Sequence, residues 1–275
     1  MPFVERDGVK IYYEDTGGSG EVIFMTHGFG SGSKMWDGQM ELSKKFRVIR
    51  WDMRGHAQSD SPDDETKYGK QHQVDDMAAV LDACKVEQAI FLGHSMGAYD
   101  NMLFFLSSPQ YARRMKALVI FGSGPGFAKE KAREGWNKNA DKLAASYASK
   151  GLEALVGSDR EKGHTAHGAK VGLAHSAKNV FGQRDYDPLY SRMPDGASVA
   201  ATHLQDLRLP VLIIIGDRDK QFRASSEMMK AKIPNAQMIL VADAGHMANE
   251  KQPALFNEHI ARFAESLPRA AASKL

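Results

Sequence analysis

Short apolar runs recur along this chain, and they limit the folds it can adopt more than any other feature. They are VIFMT (22–26), RVIRW (47–51), AIFLG (89–93), ALVIFG (117–122), PVLIIIG (210–216) and QMILVA (237–242). Short runs that are apolar throughout are typical of strands buried on both faces of a parallel sheet. Such a sheet needs helices on both faces, so we expect an α/β fold.

Helical and hairpin signals complete this α/β pattern. Apolar residues recur at helical spacing over 74–81 and again over 256–267, and Pro253 suits the first turn of the second helix. Near the N-terminus, Asp7 and Gly8 separate two alternating apolar segments, which predicts a β-hairpin. The expected fold class is therefore a mostly parallel sheet with an N-terminal hairpin.

One long segment interrupts the alternation of strands and helices. Between the runs that end at Gly122 and begin at Val211, the sequence is rich in Ala, Lys, Leu and Glu and shows no convincing strand. A connection of this length needs secondary structure of its own. We expect an inserted helical cap over 124–207, with 1–123 and 208–275 forming the core domain.

Composition excludes several classes of protein. Lys and Arg total 36 and Asp and Glu total 34, a net charge of +2 that argues against nucleic acid as a partner. Cys84 is the single cysteine, so a reducing compartment is expected. With neither a signal peptide nor a membrane span in the sequence, we expect a cytoplasmic protein without a membrane partner. The ending Ser273-Lys274-Leu275 matches a peroxisomal address, which would apply in a eukaryotic source.

The stretch LGHSMGAYD (92–100) predicts a nucleophile. Gly93 and Gly97 flank Ser95 directly after an apolar run and before a helical segment. Glycines weaken strands and helices, so their presence indicates a sharp turn in which strand and helix approach closely. The pattern G-x-S-x-G at such a turn places the serine hydroxyl at the carboxyl edge of the sheet.

Partners for this serine follow later in the chain. His246 lies just after the last apolar run, and Asp217 and Asp219 follow the preceding one. Either aspartate is able to hydrogen-bond within its own turn, so turn chemistry alone leaves both open. Serine needs a base within hydrogen-bond reach, and a carboxylate that orients the base completes the set.

The chain resembles the α/β-hydrolase superfamily, in its serine esterase and enol-lactonase-like branch. The similarity covers 1–123 and 208–267 and includes HGFG (27–30) and DMRGHAQS (52–59), where Ala57 stands in place of a glycine. This resemblance implies Ser95 as nucleophile, His246 as base and Asp219, three residues after a glycine, as the acid. It also implies that the amides of Phe29 and Met96 form the oxyanion hole. Single histidines are most often structural, and we expect His27 to brace its loop.

The expected activity is hydrolysis of a carboxylic ester or lactone of a small, largely apolar molecule, with no cofactor and no metal. A carbon–carbon bond hydrolase of ring-cleavage products and a slow-turnover ligand receptor have the same motifs and stay open as alternatives. Trp36, Phe127 and Trp136 are candidates for the substrate pocket. Asp100, shortly after the nucleophile, departs from the small apolar residues usual there, and the sequence offers no account of it.

Overall fold

The computed structural model describes residues 3–156, 163–184 and 199–268. Its centre is an eight-stranded sheet in the order β1-β2-β4-β3-β5-β6-β7-β8. The strands are β1 (Phe3–Arg6), β2 (Val9–Asp15), β3 (Val22–Thr26), β4 (Arg47–Trp51), β5 (Ala89–His94), β6 (Met115–Phe121), β7 (Val211–Gly216) and β8 (Ala236–Val241). The β1–β2 and β2–β4 pairs are antiparallel and the others are parallel, so the predicted fold class is confirmed.

Helices connect the strands and cover the sheet. They are α1 (Lys70–Ala83), α2 (Met96–Ser107), α3 (Pro109–Ala112), α4 (Glu130–Lys150), α5 (Leu173–Ser176), α6 (Val199–Thr202), α7 (Arg223–Lys232), α8 (Ala248–Lys251) and α9 (Pro253–Ser266). Segments of 3-10 helix occupy Ser33–Lys44, Glu65–Lys67, Gly151–Leu155 and Leu204–Asp206, and π-helical turns at Gly168–Gly172 and Ala177–Phe181 flank α5. Of the helices described, none is long and apolar enough to cross a membrane.

The N-terminal hairpin forms at the predicted turn. Asp7 and Gly8 have φ values of 54° and 72°, and both therefore lie in the left-handed region. A two-residue turn with positive φ at both positions matches the natural twist of paired strands, which is why Asp-Gly is favoured there. The turn sets the register in which Arg6 pairs with Val9.

Each buried strand contributes to two cores, because successive side chains point to opposite faces of the sheet. Phe24 and Phe91 lie on the face covered by α1 and α2, whereas Ile23 and Ile90 lie on the opposite face. That opposite core is closed by α9 and by the 3-10 segment Ser33–Lys44. Burial on both faces explains why these strands are apolar throughout.

The described residues of 124–207 contain no strand. The longest element is α4, and it is tied to the end of the following helical segment by side-chain hydrogen bonds. Trp136 Nε1 donates to the carbonyl of Phe181 at 2.8 Å, and Asn137 Nδ2 donates to that of Gln183 at 2.8 Å. The helical content agrees with the predicted cap, whose boundaries stay a prediction. The Ser273-Lys274-Leu275 ending lies outside the described residues.

Candidate active site

Ser95 lies at the turn between β5 and α2, in a conformation that few residues adopt. Its φ of 53° and ψ of −117° cost a residue with a side chain on the order of 1–3 kcal/mol. Neighbouring groups hold it there: its amide donates to the carbonyl of Phe121 at 2.9 Å, and its carbonyl accepts from Ser123 Oγ at 2.7 Å. The strained turn is thus anchored to the end of β6.

The two flanking glycines are required by close backbone contacts. A Cβ added at Gly93 would lie 2.5 Å from Cα of Ala98. A Cβ at Gly97 would lie 2.3 Å from the carbonyl oxygen of His27. Both distances are shorter than any side chain tolerates, so helix and strands approach as the sequence predicts.

The structure brings His246 and Asp219 together beyond the ends of β8 and β7. Nδ1 of His246 lies 2.8 Å from Oδ2 of Asp219, whose side chain is buried. Asp217 is exposed, and its Oδ1 accepts from the amide of Ala244 at 3.2 Å. Of the two aspartates, the one favoured by resemblance therefore lies beside the imidazole, and the other caps its own loop.

Three further residues confine the imidazole of His246. Phe222 stacks on it with ring centroids 5.1 Å apart and an interplanar angle of 20°, and the His94 ring lies 4.5 Å away. A Cβ at Gly122 would come within 3.1 Å of its Nδ1. The ring is therefore held between strand ends and the loop before α7. Sequence reasoning missed Phe222 and Gly122 because neither carries a chemical signature.

The candidate oxyanion donors lie on two different loops. Met96 is the first residue of α2, and the amides at a helix start lack intrahelical acceptors. Phe29 follows β3 in a loop held by His27, whose Nδ1 donates to the carbonyl of Gly28 at 2.7 Å and whose Nε2 accepts from the amide of Met53 at 2.9 Å. Burial lowers the pKa of His27 to about 4, which keeps this bracing imidazole neutral.

A cavity of about 280 Å³ opens at Ser95. It is lined by Lys70, Ser95, Met96, Tyr99, Ser123, Gly124, Pro125, Gly126, Phe127, Trp136, Phe181, Gln183, Gln221, Phe222 and Ser225. Of the predicted pocket residues, Phe127 and Trp136 are present in this lining. Trp36 is absent from the lining. The 3-10 segment that carries it packs on the face of the sheet that α9 covers, and the Trp36 side chain is fully buried in that core.

The cavity also contains a charged residue that the sequence did not reveal. Lys70, the first residue of α1, lines it and forms a buried ion pair with Asp100, with Nζ and Oδ1 3.1 Å apart. This contact explains where the unusual Asp100 of α2 is directed. A cation at the start of a helix opposes the helix dipole, which was the one available signal in the sequence.

In the part of the chain that the structure describes, neither Cys84 nor a cluster of metal-ligating side chains forms a second centre. Burial raises the pKa of the Cys84 thiol to about 12, so it stays protonated at neutral pH. Among the residues described, no three His, Cys, Asp or Glu side chains are placed to hold a metal ion together.

A strained serine and a His–Asp pair at the carboxyl edge of the same mostly parallel sheet define a class of protein. The sequence model of a protein family described as the alpha/beta hydrolase fold matches residues 21–253. The chain belongs to that family, as predicted. The chain is similar to the putative 2-succinyl-6-hydroxy-2,4-cyclohexadiene-1-carboxylate synthase of Bacillus subtilis, with 27% identity over 95% of this chain and 97% of the relative.

Two further comparisons are with lactonases. The chain is 27% identical to 3-oxoadipate enol-lactonase 1 of Acinetobacter baylyi over 90% of this chain and 89% of that protein. Its structure matches that of the enol-lactonase from Burkholderia xenovorans LB400 with a TM-score of 0.76, at 22% identity, over 96% of this chain and 100% of that one. The structural likeness shows the shared fold.

Proposed function

We propose that the protein is a serine hydrolase that cleaves a carboxylic ester or lactone of a small, largely apolar molecule. The observation that carries this proposal is the 2.8 Å contact between His246 and Asp219, which follow strand ends at the same edge of the sheet as the strained, cavity-lining Ser95. An aspartate at Nδ1 leaves Nε2 of the imidazole as the base for the serine. The similarity to an enol-lactonase supports the choice of substrate bond.

The reaction proceeds in two half-reactions through an acyl-enzyme. His246 removes the proton of Ser95 while Oγ attacks the carbonyl carbon, and Asp219 stabilises the imidazolium that forms. The imidazolium gives this proton to the leaving alkoxide, and the carbon–oxygen bond breaks. Water then attacks the acyl-enzyme with His246 as base, which releases the acid and restores Ser95.

The amides of Phe29 and Met96 stabilise the oxyanion in both half-reactions. Their donors belong to a braced loop and to a helix start, so they need little reorganisation when charge develops. Loss of one such donor typically costs about 3 kcal/mol of transition-state stabilisation. The backbone is therefore as important to the rate as the three side chains.

Substrate selection resides in the cap, for which we propose the bounds 124–207. Phe127 and Trp136 contribute aromatic surface to the cavity, and their rings are 5.6 Å apart. A volume of about 280 Å³ suits a small acyl group. Apolar lining with few polar groups is the usual composition of a small-molecule site.

The test combines turnover with covalent labelling. We expect p-nitrophenyl esters from acetate to octanoate to be hydrolysed and a fluorophosphonate to label Ser95. Ser95→Ala should abolish both, whereas Ser225→Ala, which alters another serine of the same cavity, should still be labelled. Labelling at a different serine, or full turnover by Ser95→Ala, would contradict the proposal. Turnover of a dienone ring-cleavage product with no ester hydrolysis would favour a carbon–carbon bond hydrolase.

A further inference from the structure

His164 connects the proposed cap to two loops of the core domain. Its Nδ1 accepts a hydrogen bond from the amide of Ala57 at 3.1 Å, and its Nε2 lies 3.2 Å from the carbonyl oxygen of Gly30. The residue is buried, with 9% of its surface exposed. The ring of Phe29, next to Gly30 in the chain, packs on Phe181 of the same cap with centroids 4.8 Å apart. The cap therefore contacts the loop that carries the candidate oxyanion donor.

The amide of Ala57 determines the tautomer of the His164 ring. A backbone N–H is a donor only, so Nδ1, which accepts from it, carries no proton. In the neutral imidazole the proton is then on Nε2, which donates to the carbonyl of Gly30. Burial lowers the pKa of His164 below its ordinary value, which favours the neutral ring that this arrangement requires.

A chain of hydrogen bonds leads from His164 to the amide of Phe29. The carbonyl of Gly30 belongs to the same planar peptide unit as the amide of Ser31, which donates to the carbonyl of Gly28 at 3.2 Å. The carbonyl of Gly28 in turn belongs to the same peptide unit as the amide of Phe29. In a trans peptide the N–H points away from the C=O, so these contacts set the direction of the Phe29 donor.

The core domain and the cap hold this loop at different positions. His27 donates to the carbonyl of Gly28 from the core side, and His164 donates to the carbonyl of Gly30 from the cap side. The φ of Gly30 is 70°, and a glycine readily leaves such a conformation unless a contact fixes it. The geometry of the loop therefore depends on the cap as well as on the core.

We propose that His164 is a positioning residue for the oxyanion hole and that it makes the orientation of the Phe29 amide depend on the docked cap. This inference rests on the proposed function, because it concerns the oxyanion hole of the same hydrolytic site. A donor that is already oriented needs no reorganisation when the oxyanion forms, so it stabilises the transition state more than a mobile one does. Successive hydrogen bonds also polarise one another, so a donor at the start of the chain strengthens the donor at its end.

Two amide substitutions separate the two contacts of His164. The amide nitrogen of Gln corresponds to Nε2, so His164→Gln keeps a donor for the carbonyl of Gly30. The amide oxygen of Asn corresponds to Nδ1, so His164→Asn keeps the acceptor for Ala57 and loses that donor. We expect kcat and kcat/KM for p-nitrophenyl butyrate to fall together by about tenfold in His164→Asn, less than the loss of about 100-fold or more for an oxyanion donor itself. His164→Gln should stay within about threefold of the wild type.

His167→Asn is the matched control. His167 belongs to the same cap segment and is exposed, and its Nε2 lies 2.9 Å from the carbonyl oxygen of Ser61, which is not part of the oxyanion loop. Its replacement should leave kcat unchanged. Both His164 variants lose one hydrogen bond, so their melting temperatures should be similar, and a difference in stability would not account for a difference in rate.

Hydrogen exchange of the amides in 27–32, followed by mass spectrometry, gives a second readout that does not depend on turnover. Exchange should be faster in His164→Asn than in the wild type, because the loop has lost its contact with the cap. His164→Gln and His167→Asn should exchange at the rate of the wild type.

The outcomes distinguish the two proposals. Equal losses of kcat in the two His164 variants, an unchanged kcat in His164→Asn, or unchanged exchange over 27–32 in that variant would overturn the positioning role. A loss that appears only as a higher KM would also overturn it, because that pattern indicates ground-state binding. Absence of ester hydrolysis and of Ser95 labelling in the wild type would overturn the proposed function instead, while exchange over 27–32 still decides whether His164 holds the loop.

Discussion

Replacing Asp219 by Asn tests whether this carboxylate sets the tautomer of His246. The two carboxylate oxygens have different partners: Oδ2 lies 2.8 Å from Nδ1 of His246, and Oδ1 accepts from the amide of Phe222 at 3.3 Å. Asparagine has one acceptor oxygen, so it is unable to serve both donors. If its oxygen faces Phe222, its amide group donates to Nδ1, and the imidazole proton moves to Nε2, where the base is needed.

The expected loss is large because the wrong tautomer removes the base. In a serine protease the corresponding change lowers kcat by about 10⁴, which equals roughly 5.5 kcal/mol of transition-state stabilisation. Asp217→Asn is the matched control, because that side chain is exposed and its oxygen can still accept from the amide of Ala244. We expect this control to retain activity within about threefold, the scale of a surface substitution.

The assay is kcat on p-nitrophenyl butyrate for both variants, with melting curves as a check on folding. Similar losses in the two variants would mean that the short contact seen for Asp219 does not set the tautomer. A larger loss in Asp217→Asn would assign the catalytic acid to the other aspartate.

Three further predictions concern packing, pH and selectivity. Gly97→Ala should lower the free energy of unfolding by about 3 kcal/mol or more because its Cβ meets backbone oxygen, whereas Gly135→Ala, in open space on α4, should raise it by about 0.5–1 kcal/mol; urea unfolding measures both. Burial lowers the pKa of His27 to about 4, so as pH falls from about 6.5 the unfolded chain takes up a proton that the folded protein refuses. The free energy of unfolding of the wild type should therefore fall by about 3 kcal/mol between pH 6.5 and pH 4 because of this group. His27→Asn should show a correspondingly smaller fall in urea unfolding. Trp136→Ala removes aromatic surface from the cavity, and the preferred p-nitrophenyl ester should become longer while the pH profile of kcat stays unchanged. An unchanged ranking of esters would place the acyl group elsewhere.

The elements that the sequence predicted are those whose signals are local. The runs 22–26 and 47–51 coincide with β3 and β4, because burial on both faces makes every position apolar. The turn around Ser95 was equally legible, since close backbone contacts at Gly93 and Gly97 exclude every other residue. In both cases the physical requirement acts on consecutive residues, so it leaves a pattern in the order of the chain.

The pocket was predicted less well because its lining depends on how distant elements pack. Trp36 is a residue type that often lines pockets, but the residues next to it in the sequence do not indicate which face of the sheet its segment covers. The contact between Lys70 and Asp100 joins residues 30 positions apart and exists only because α1 and α2 lie side by side. The sequence around Lys70 and the sequence around Asp100 do not indicate that these two residues contact each other.

The candidate catalytic residues and the residues that line the cavity lie on different parts of the fold. Ser95, His246 and Asp219 follow the ends of β5, β8 and β7, and pairing within one sheet fixes those ends relative to one another. Phe127 and Trp136 belong to the segment inserted between β6 and β7, and Lys70 begins a helix before β5. In the function we propose, exchange of these lining residues alters what the cavity accepts without moving the strands that hold Ser95, His246 and Asp219. Such a division allows one sheet to support different activities, which fits the range of activities named for relatives of this chain.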